Sequence, residues 1–397
     1  MNNGKRWVYL GIASVLLLFL GLIYAWSIFR APIAELYPDW SIAQLSLTFT
    51  ISMIFFCLGG FAGGLMSKRL SIRIRLIISA VMLFAGFFTV SMMNTSNASS
   101  SLIMLYVFYG VLGGGGVGVA YNTVISGINR WFPDKVGLAS GVMLMGFGLG
   151  GLALGSVVNS LIGRMGVLAV FRLLAFVIAA VCVLAAFIIK LPLDGEVTAD
   201  AKSQKDEAAE NYSSAEMLRT SKFWIFTLWV ILLNSAGLLV INSAADISVA
   251  FGGTAVLGMI VSLFNGAGRI IAGNNFDRLG RKPTMLINNM FMLLAGVMLT
   301  LGALSGKYVF VLCGLVLVGL AYGGCPTITS AYINRAFGPE NFSTNFSIAN
   351  FSLIPAATIG PMISSALLTY SGGSYDTNFY AVIAFALASF IFNILLH

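Results

Sequence analysis

The chain has 397 residues, of which 9% are charged and 58% hydrophobic, and its mean hydropathy is +0.94. A soluble globular chain carries roughly 25% charged residues, so a water-soluble fold is excluded. The net charge of +8 would suit an anionic polymer such as nucleic acid unless the basic residues prove to be sorted by membrane side.

The apolar runs are continuous and close to the ~20 residues that a helix needs to cross a bilayer, unlike the ~10-residue alternating segments of an outer-membrane barrel. The fold class is therefore predicted as all-α and polytopic. Lys5 and Arg6 precede an apolar run to Phe29 that is long for a signal peptide and lacks a small-residue cleavage site, so it is predicted as a retained first span at 7–29. Apolar length, Gly/Pro/Asn breaks and charge clusters place spans two to six at 42–66, 74–93, 101–126, 137–161 and 167–190. A polar segment, "LPLDGEVTADAKSQKDEAAENYSSAEMLRT", follows and holds seven of the fourteen acidic residues, as expected of a solvated linker. Spans seven to twelve are predicted at 222–245, 254–275, 284–304, 308–333, 344–369 and 377–396.

With the N-terminus on the cytoplasmic side, seventeen basic residues fall on inside segments and four, Arg30, Arg164, Arg172 and Lys307, on outside ends. That bias satisfies the positive-inside rule for an even number of spans and places both termini in the cytoplasm. The basic balance reports topology, and no nucleic-acid partner is expected. Trp7, Trp131 and Trp224 stand at span ends and read as interfacial anchors. Cys57, Cys182, Cys313 and Cys325 show no metal or redox spacing and read as packing residues; no cofactor is expected.

The halves echo each other. "GLMSKRLSIR" from Gly64 follows span two, and "GNNFDRLGRK" from Gly273 follows span eight; spans four and ten end in "NRWF" and "NRAF". This duplication predicts an N-terminal six-helix bundle over 1–190, a cytoplasmic linker over 191–221 and a C-terminal six-helix bundle over 222–397.

"GNNFDRLGRK" fits the major facilitator loop pattern G-x-x-x-D-R-x-G-R-K throughout, whereas the first copy has Lys68 in place of the acid and Ser71 in place of the glycine. With the twelve spans and central linker, the chain resembles the major facilitator superfamily. "GLIYAWSIF" in span one, "NRWFPDKVGLASG" between spans four and five, and Arg269 inside span eight are similar to the oxalate:formate antiporter family and its monocarboxylate-transporter relatives. The resemblance implies alternating access, with the span-eight arginine gripping a substrate carboxylate and aromatic side chains lining the cavity. Oxalate carriers add a lysine in span eleven; here the corresponding place is taken by Asn350 or Ser352. Proton-coupled relatives have an aspartate one turn before the arginine; here that position is Asn265.

The residues point the same way by themselves. Burying an unpaired guanidinium in lipid costs a few kcal/mol or more, so an intramembrane arginine faces an anion, a structural partner or the membrane surface. Eight residues separate Arg269 from Asp277, which places it about 12 Å along the helix from that loop and makes snorkelling a long reach. Ser262, Asn265, Gly266, Arg269 and Gly273 recur at spacings of three and four and share one helix face; a small-residue packing stripe explains the glycines better than it explains Asn265. Tyr24, Tyr121, Tyr322 and Trp26 offer a directed hydrogen bond from an aromatic body, with packing as the plainer alternative.

The glycine-crowded spans four and five read as close-packed surfaces that slide, and Pro355 and Pro361 as kinks in span eleven. Asp277, Arg278, Arg281 and Lys282 form a candidate conformational latch in a loop between spans. No titratable group is evident near Arg269, which weakens proton symport. The expected function is transport of small organic anions, monocarboxylates such as lactate, pyruvate or formate, through the cytoplasmic membrane by a monomer embedded in the lipid bilayer. Oxalate or dicarboxylate exchange and a non-transporting anion receptor are the alternatives; no span holds an acid/base pair or activated nucleophile, so an enzyme is not expected.

Overall fold

The structure is a computed structural model that describes the backbone of residues 3–193, 196 and 210–396; the side chains of Asn3, Tyr24 and Ile42 lie outside those described. Among the described residues, twelve helices are long and apolar enough to cross a membrane. Spans one to six are Gly4–Leu36, Ala43–Met66, Ile72–Val90, Ala98–Asn129, Val136–Met165 and Val167–Ile188. Spans seven to twelve are Ser221–Ile241, Ala255–Leu279, Arg281–Ser305, Tyr308–Phe337, Phe342–Tyr370 and Asp376–Leu395. The protein is an all-helical, multi-pass integral membrane protein.

Local chemistry explains several span ends. Ser41 accepts from the Gln44 N–H and the Gln44 side chain accepts from the Ser41 N–H, a reciprocal cap that opens span two. Gly280, with φ +83°, is the only residue between the helices of spans eight and nine, because a left-handed backbone makes so tight a turn without a Cβ clash.

Four spans are irregular. Span one narrows to a 3-10 turn at Gly21–Ala25, and span four widens to a π-helix at Leu105–Gly113. Span eight passes from a short helix, Ala255–Gly258, to a long one, Ile260–Leu279. Span eleven breaks between helices Phe342–Asn350 and Leu353–Tyr370. Of the two prolines expected to kink it, Pro355 sits in the first turn after the break, where it has no N–H to give and the Phe351 carbonyl accepts from the Ile354 N–H at 3.1 Å instead, while Pro361 lies within an uninterrupted helix.

Contacts divide the chain into two compact units. Unit 1 comprises Met1–Pro133, Gly146–Lys205 and Phe342–Ser347; unit 2 comprises Asp134–Met145, Asp206–Asn341 and Ile348–His397. Within unit 1, spans two and four approach backbone to backbone: a Cβ on Gly114 would strike the Ser52 carbonyl, and one on Gly118 that of Phe56. Within unit 2, Gly268 and Gly323 do the same for spans eight and ten, against Leu320 and Asn265.

Three sequence expectations need correction. Trp131 is buried and donates its indole N–H to the Lys190 carbonyl at 2.7 Å, which makes it an internal tie rather than an interfacial anchor. Cys313 is exposed, whereas Cys57, Cys182 and Cys325 are buried as packing residues would be. The linker is not wholly solvated. Residues 194, 195 and 197–209 lie outside those described, but its last part docks within unit 2. The Tyr212 N–H donates to the Phe337 carbonyl at 3.1 Å, and Asn341 donates its side-chain amide to the Tyr212 carbonyl at 3.1 Å. A short helix follows at Ser214–Arg219, with Met217 buried and Glu216 closing a capping box with Ser213. The Ser213 N–H holds the Glu216 carboxyl below its ordinary value.

Candidate substrate-binding site

Arg269 is 5% exposed. Its Nε donates to the Asn265 side-chain oxygen at 3.3 Å, one turn earlier on the same helix, and one terminal nitrogen donates to the Leu144 carbonyl of span five. Both partners are neutral, and among the described residues no carboxylate pairs with the guanidinium. The close approach of span five is enabled by glycine: a Cβ at Gly141 would collide with the Arg269 carbonyl, and Gly137 and Gly273 abut in the same way. The arginine thus lies along a backbone-tight crossing in unit 2, carrying a charge that dipoles solvate and no anion cancels.

Tyr322 of span ten belongs to the same unit, packs against Gly237, and lies within coulombic reach of Arg269. Asn350 and Ser352 are both buried at the break of span eleven, Asn350 ending one helix and Ser352 preceding the next. Unit 2 therefore brings Arg269, Asn265 and Tyr322 into one neighbourhood.

Tyr121 belongs to unit 1, where it is buried in an aromatic cluster with Phe56, Phe147 and Phe346, at ring-centroid distances of 5.1, 4.9 and 6.1 Å. Tyr24 lies in the 3-10 turn of span one, and its side chain is outside those described. Trp26 begins the next helical segment, donates its indole N–H to the Leu45 carbonyl at 3.0 Å and packs against Tyr109 at 4.9 Å. Its one polar hydrogen is occupied by that bond.

The four candidate latch residues are spread over two helices. Asp277 and Arg278 belong to the last turn of one helix, and Arg281 and Lys282 open the next. The Asp277 carboxylate accepts the N–H groups of Gly137 at 2.9 Å and Leu138 at 2.7 Å. It also lies 3.6 Å from the Arg335 guanidinium, with the two side chains 7% and 31% exposed. Span five has no acidic residue in its first turn, so Asp277 supplies from another helix the negative charge that its N-terminus favours. Arg281 turns to Tyr332, and Arg278 and Lys282 are exposed. The joint is Asp277 with the start of span five and Arg335. Sequence reasoning noticed the "NRAF" that contains Arg335 without assigning it a partner, and the backbone groups of Gly137, Leu138 and Leu144 leave no side-chain pattern to read.

The chain matches the description Major Facilitator Superfamily over residues 12–353. It belongs to that superfamily. This member is 30% identical over 399 residues to the oxalate:formate antiporter of Oxalobacter formigenes, covering 98% of this chain and 92% of the relative. Monocarboxylate transporter 10 of Rattus norvegicus is 25% identical over 350 residues, covering 83% of this chain and 65% of the relative. In fold, it is similar to the proton:xylose symporter bound to 6-bromo-6-deoxy-D-glucose, with a TM-score of 0.74, 16% identity and coverage of 100% of this chain and 96% of that one. The E. coli fucose:proton symporter gives a TM-score of 0.71 at 14% identity, covering 99% of each chain. The protein is a Major Facilitator Superfamily transporter with twelve membrane-spanning helices.

Proposed function

We propose that this transporter carries small organic anions, foremost monocarboxylates such as lactate, pyruvate or formate, across the cytoplasmic membrane as a monomer, and that Arg269 binds the carboxylate. The observation that carries the reading is a guanidinium 5% exposed whose bonds go to an amide oxygen and a main-chain carbonyl. A carboxylate is a stronger acceptor than either neutral oxygen, and hydrogen bonds between ions are roughly twice as strong as neutral ones. An arriving anion therefore displaces the Leu144 carbonyl, cancels the buried charge and lowers the barrier to alternating access. Asn265 orients the guanidinium through Nε, and the Tyr322 phenol is the adjacent donor. Asp277, holding the first turn of span five in unit 2, serves as the latch of the cycle.

In proteoliposomes loaded with unlabelled lactate or formate, Arg269→Ala should abolish counterflow of the labelled anion. Arg269→Lys should retain a weak fraction, since an ammonium keeps the charge but loses the planar fork. Wild-type rates in Arg269→Ala would sink the assignment. Oxalate exchange is the second reading, favoured by the relative from Oxalobacter formigenes, an oxalate:formate antiporter at 30% identity. Counterflow of oxalate faster than that of lactate would select it. The monocarboxylate reading is preferred because the one cation at this site, Arg269, balances one carboxylate.

A further inference from the structure

The two copies of the loop joint differ in charge in a way that the transport reading does not use. In unit 2 the joint is balanced: Asp277 meets Arg335 and the start of span five, and the position seven residues on is Thr284, a neutral side chain bonded to the Gly280 carbonyl at 2.8 Å. In the first copy the corresponding positions, counted from Gly64 as from Gly273, are Lys68 and Arg75, and the "NR" of span four supplies Arg130. An acid has become a cation, and a further cation has been buried.

Arg75 is 3% exposed, its Nε has no hydrogen-bond partner, and its best bond is a long one of 3.4 Å to the Gly63 carbonyl. Arg130 lies close enough for the two positive charges to repel. The first turn of the helix Phe342–Asn350 converges on the same place within unit 1. A Cβ on Gly64 would meet the Ser343 carbonyl and the Thr344 Cα, both at 2.9 Å, and the Ser343 hydroxyl bonds Ser126, one turn before Arg130 on the same face of span four, at 3.3 Å. That helix has no side-chain cap and no acidic residue in its first turn. A buried guanidinium with an orphan donor, a second arginine and an uncapped helix N-terminus all favour negative charge, and among the described residues no carboxylate stands where the other half has Asp277.

We infer that unit 1 binds a phosphate-class oxyanion between Arg75, Arg130 and the first turn of the helix Phe342–Asn350, the bound anion standing in for the carboxylate that Asp277 provides in unit 2. Planar forks matched to phosphate oxygens and N–H groups at a helix end are the chemistry that recognises such an anion. The source is a lipid headgroup or a free phosphate. Occupancy ties the start of span eleven to the ends of spans two and four.

The test is thermal unfolding of the purified full-length protein in phosphatidylcholine nanodiscs, alone, with phosphatidylglycerol, or with inorganic phosphate at constant ionic strength. Wild type should gain roughly 5 °C from the bound anion. A gain with both additions identifies a free oxyanion as sufficient, and a gain with phosphatidylglycerol alone identifies a headgroup; either result supports the site. Arg75→Gln and Arg130→Gln should each lose the gain. Lys68→Asp restores an internal acid, and should match in neutral lipid the stability that wild type reaches only with the anion, without further response. Should the arginine variants misfold, hydrogen exchange of wild-type residues 342–347 must slow when the anion is added. No gain and no slowing in wild type, or an undiminished gain in well-folded Arg75→Gln and Lys68→Asp, would overturn the inference.

Discussion

Replacing Asp277 by alanine removes the acceptor of two main-chain N–H groups in a place that water does not easily reach, since the carboxylate is 7% exposed and its bonds to Gly137 and Leu138 measure 2.9 and 2.7 Å. Each N–H left unsatisfied costs about 1–3 kcal/mol, so the pair should cost on the order of 2–4 kcal/mol once partial relaxation is allowed. Asp277→Asn keeps one acceptor oxygen and should cost about half as much. The ion pair is a different matter: at 3.6 Å, with Arg335 31% exposed, it should contribute no more than about 1 kcal/mol. Thermal unfolding in one detergent, scanned at one rate, should therefore rank Asp277→Ala below Asp277→Asn below Arg335→Gln, with a span of roughly 2–5 °C between the first variant and wild type. Hydrogen exchange at Gly137 and Leu138 should rise in both Asp277 variants and stay near wild type in Arg335→Gln. If Arg335→Gln destabilises as much as Asp277→Ala, helix capping is not what holds this joint.

Two further outcomes follow from packing. Gly273→Ala forces a Cβ into the Gly137 carbonyl and should lower stability by about 1–3 kcal/mol, whereas Gly163→Ala, whose new Cβ meets nothing within 4 Å, should be neutral or stabilising; thermal unfolding of the pair separates close approach from glycine content. Trp26→Phe leaves the Leu45 carbonyl without its donor and should cost about 1 kcal/mol while leaving the KM for the transported anion unchanged, so a raised KM with wild-type stability would return Trp26 to the binding site.

The fold was legible because lipid allows so few solutions. Apolar length and loop charge place span nine at 284–304 where the helix runs Arg281–Ser305, and span six at 167–190 where it runs Val167–Ile188. The breaks inside spans were less legible, since the 3-10 turn at Gly21–Ala25 and the interruption before Leu353 depend on tertiary packing as well as on glycine and proline. At the candidate site, the i to i+4 spacing placed Asn265 and Arg269 on one helix face, where the two side chains bond. Leu144 could not be anticipated, because its contribution is a carbonyl that every residue carries. The same holds for the Gly137 and Leu138 N–H groups that redirect Asp277 from the basic residues next to it in sequence to a helix end well over a hundred residues away. Trp131 sits at a span end like Trp7, and only its burial distinguishes a tie from an anchor.

The central claim is that the Arg269 guanidinium recognises the substrate's carboxylate. The most direct measurement is calorimetric binding of lactate and of lactamide, its neutral isostere, to wild type and to Arg269→Gln. Wild type should bind lactate at least tenfold more tightly than lactamide, about 1.4 kcal/mol of discrimination, and Arg269→Gln should lose that preference while still binding lactamide as wild type does. A preference for lactate that survives in a well-folded Arg269→Gln would contradict the account.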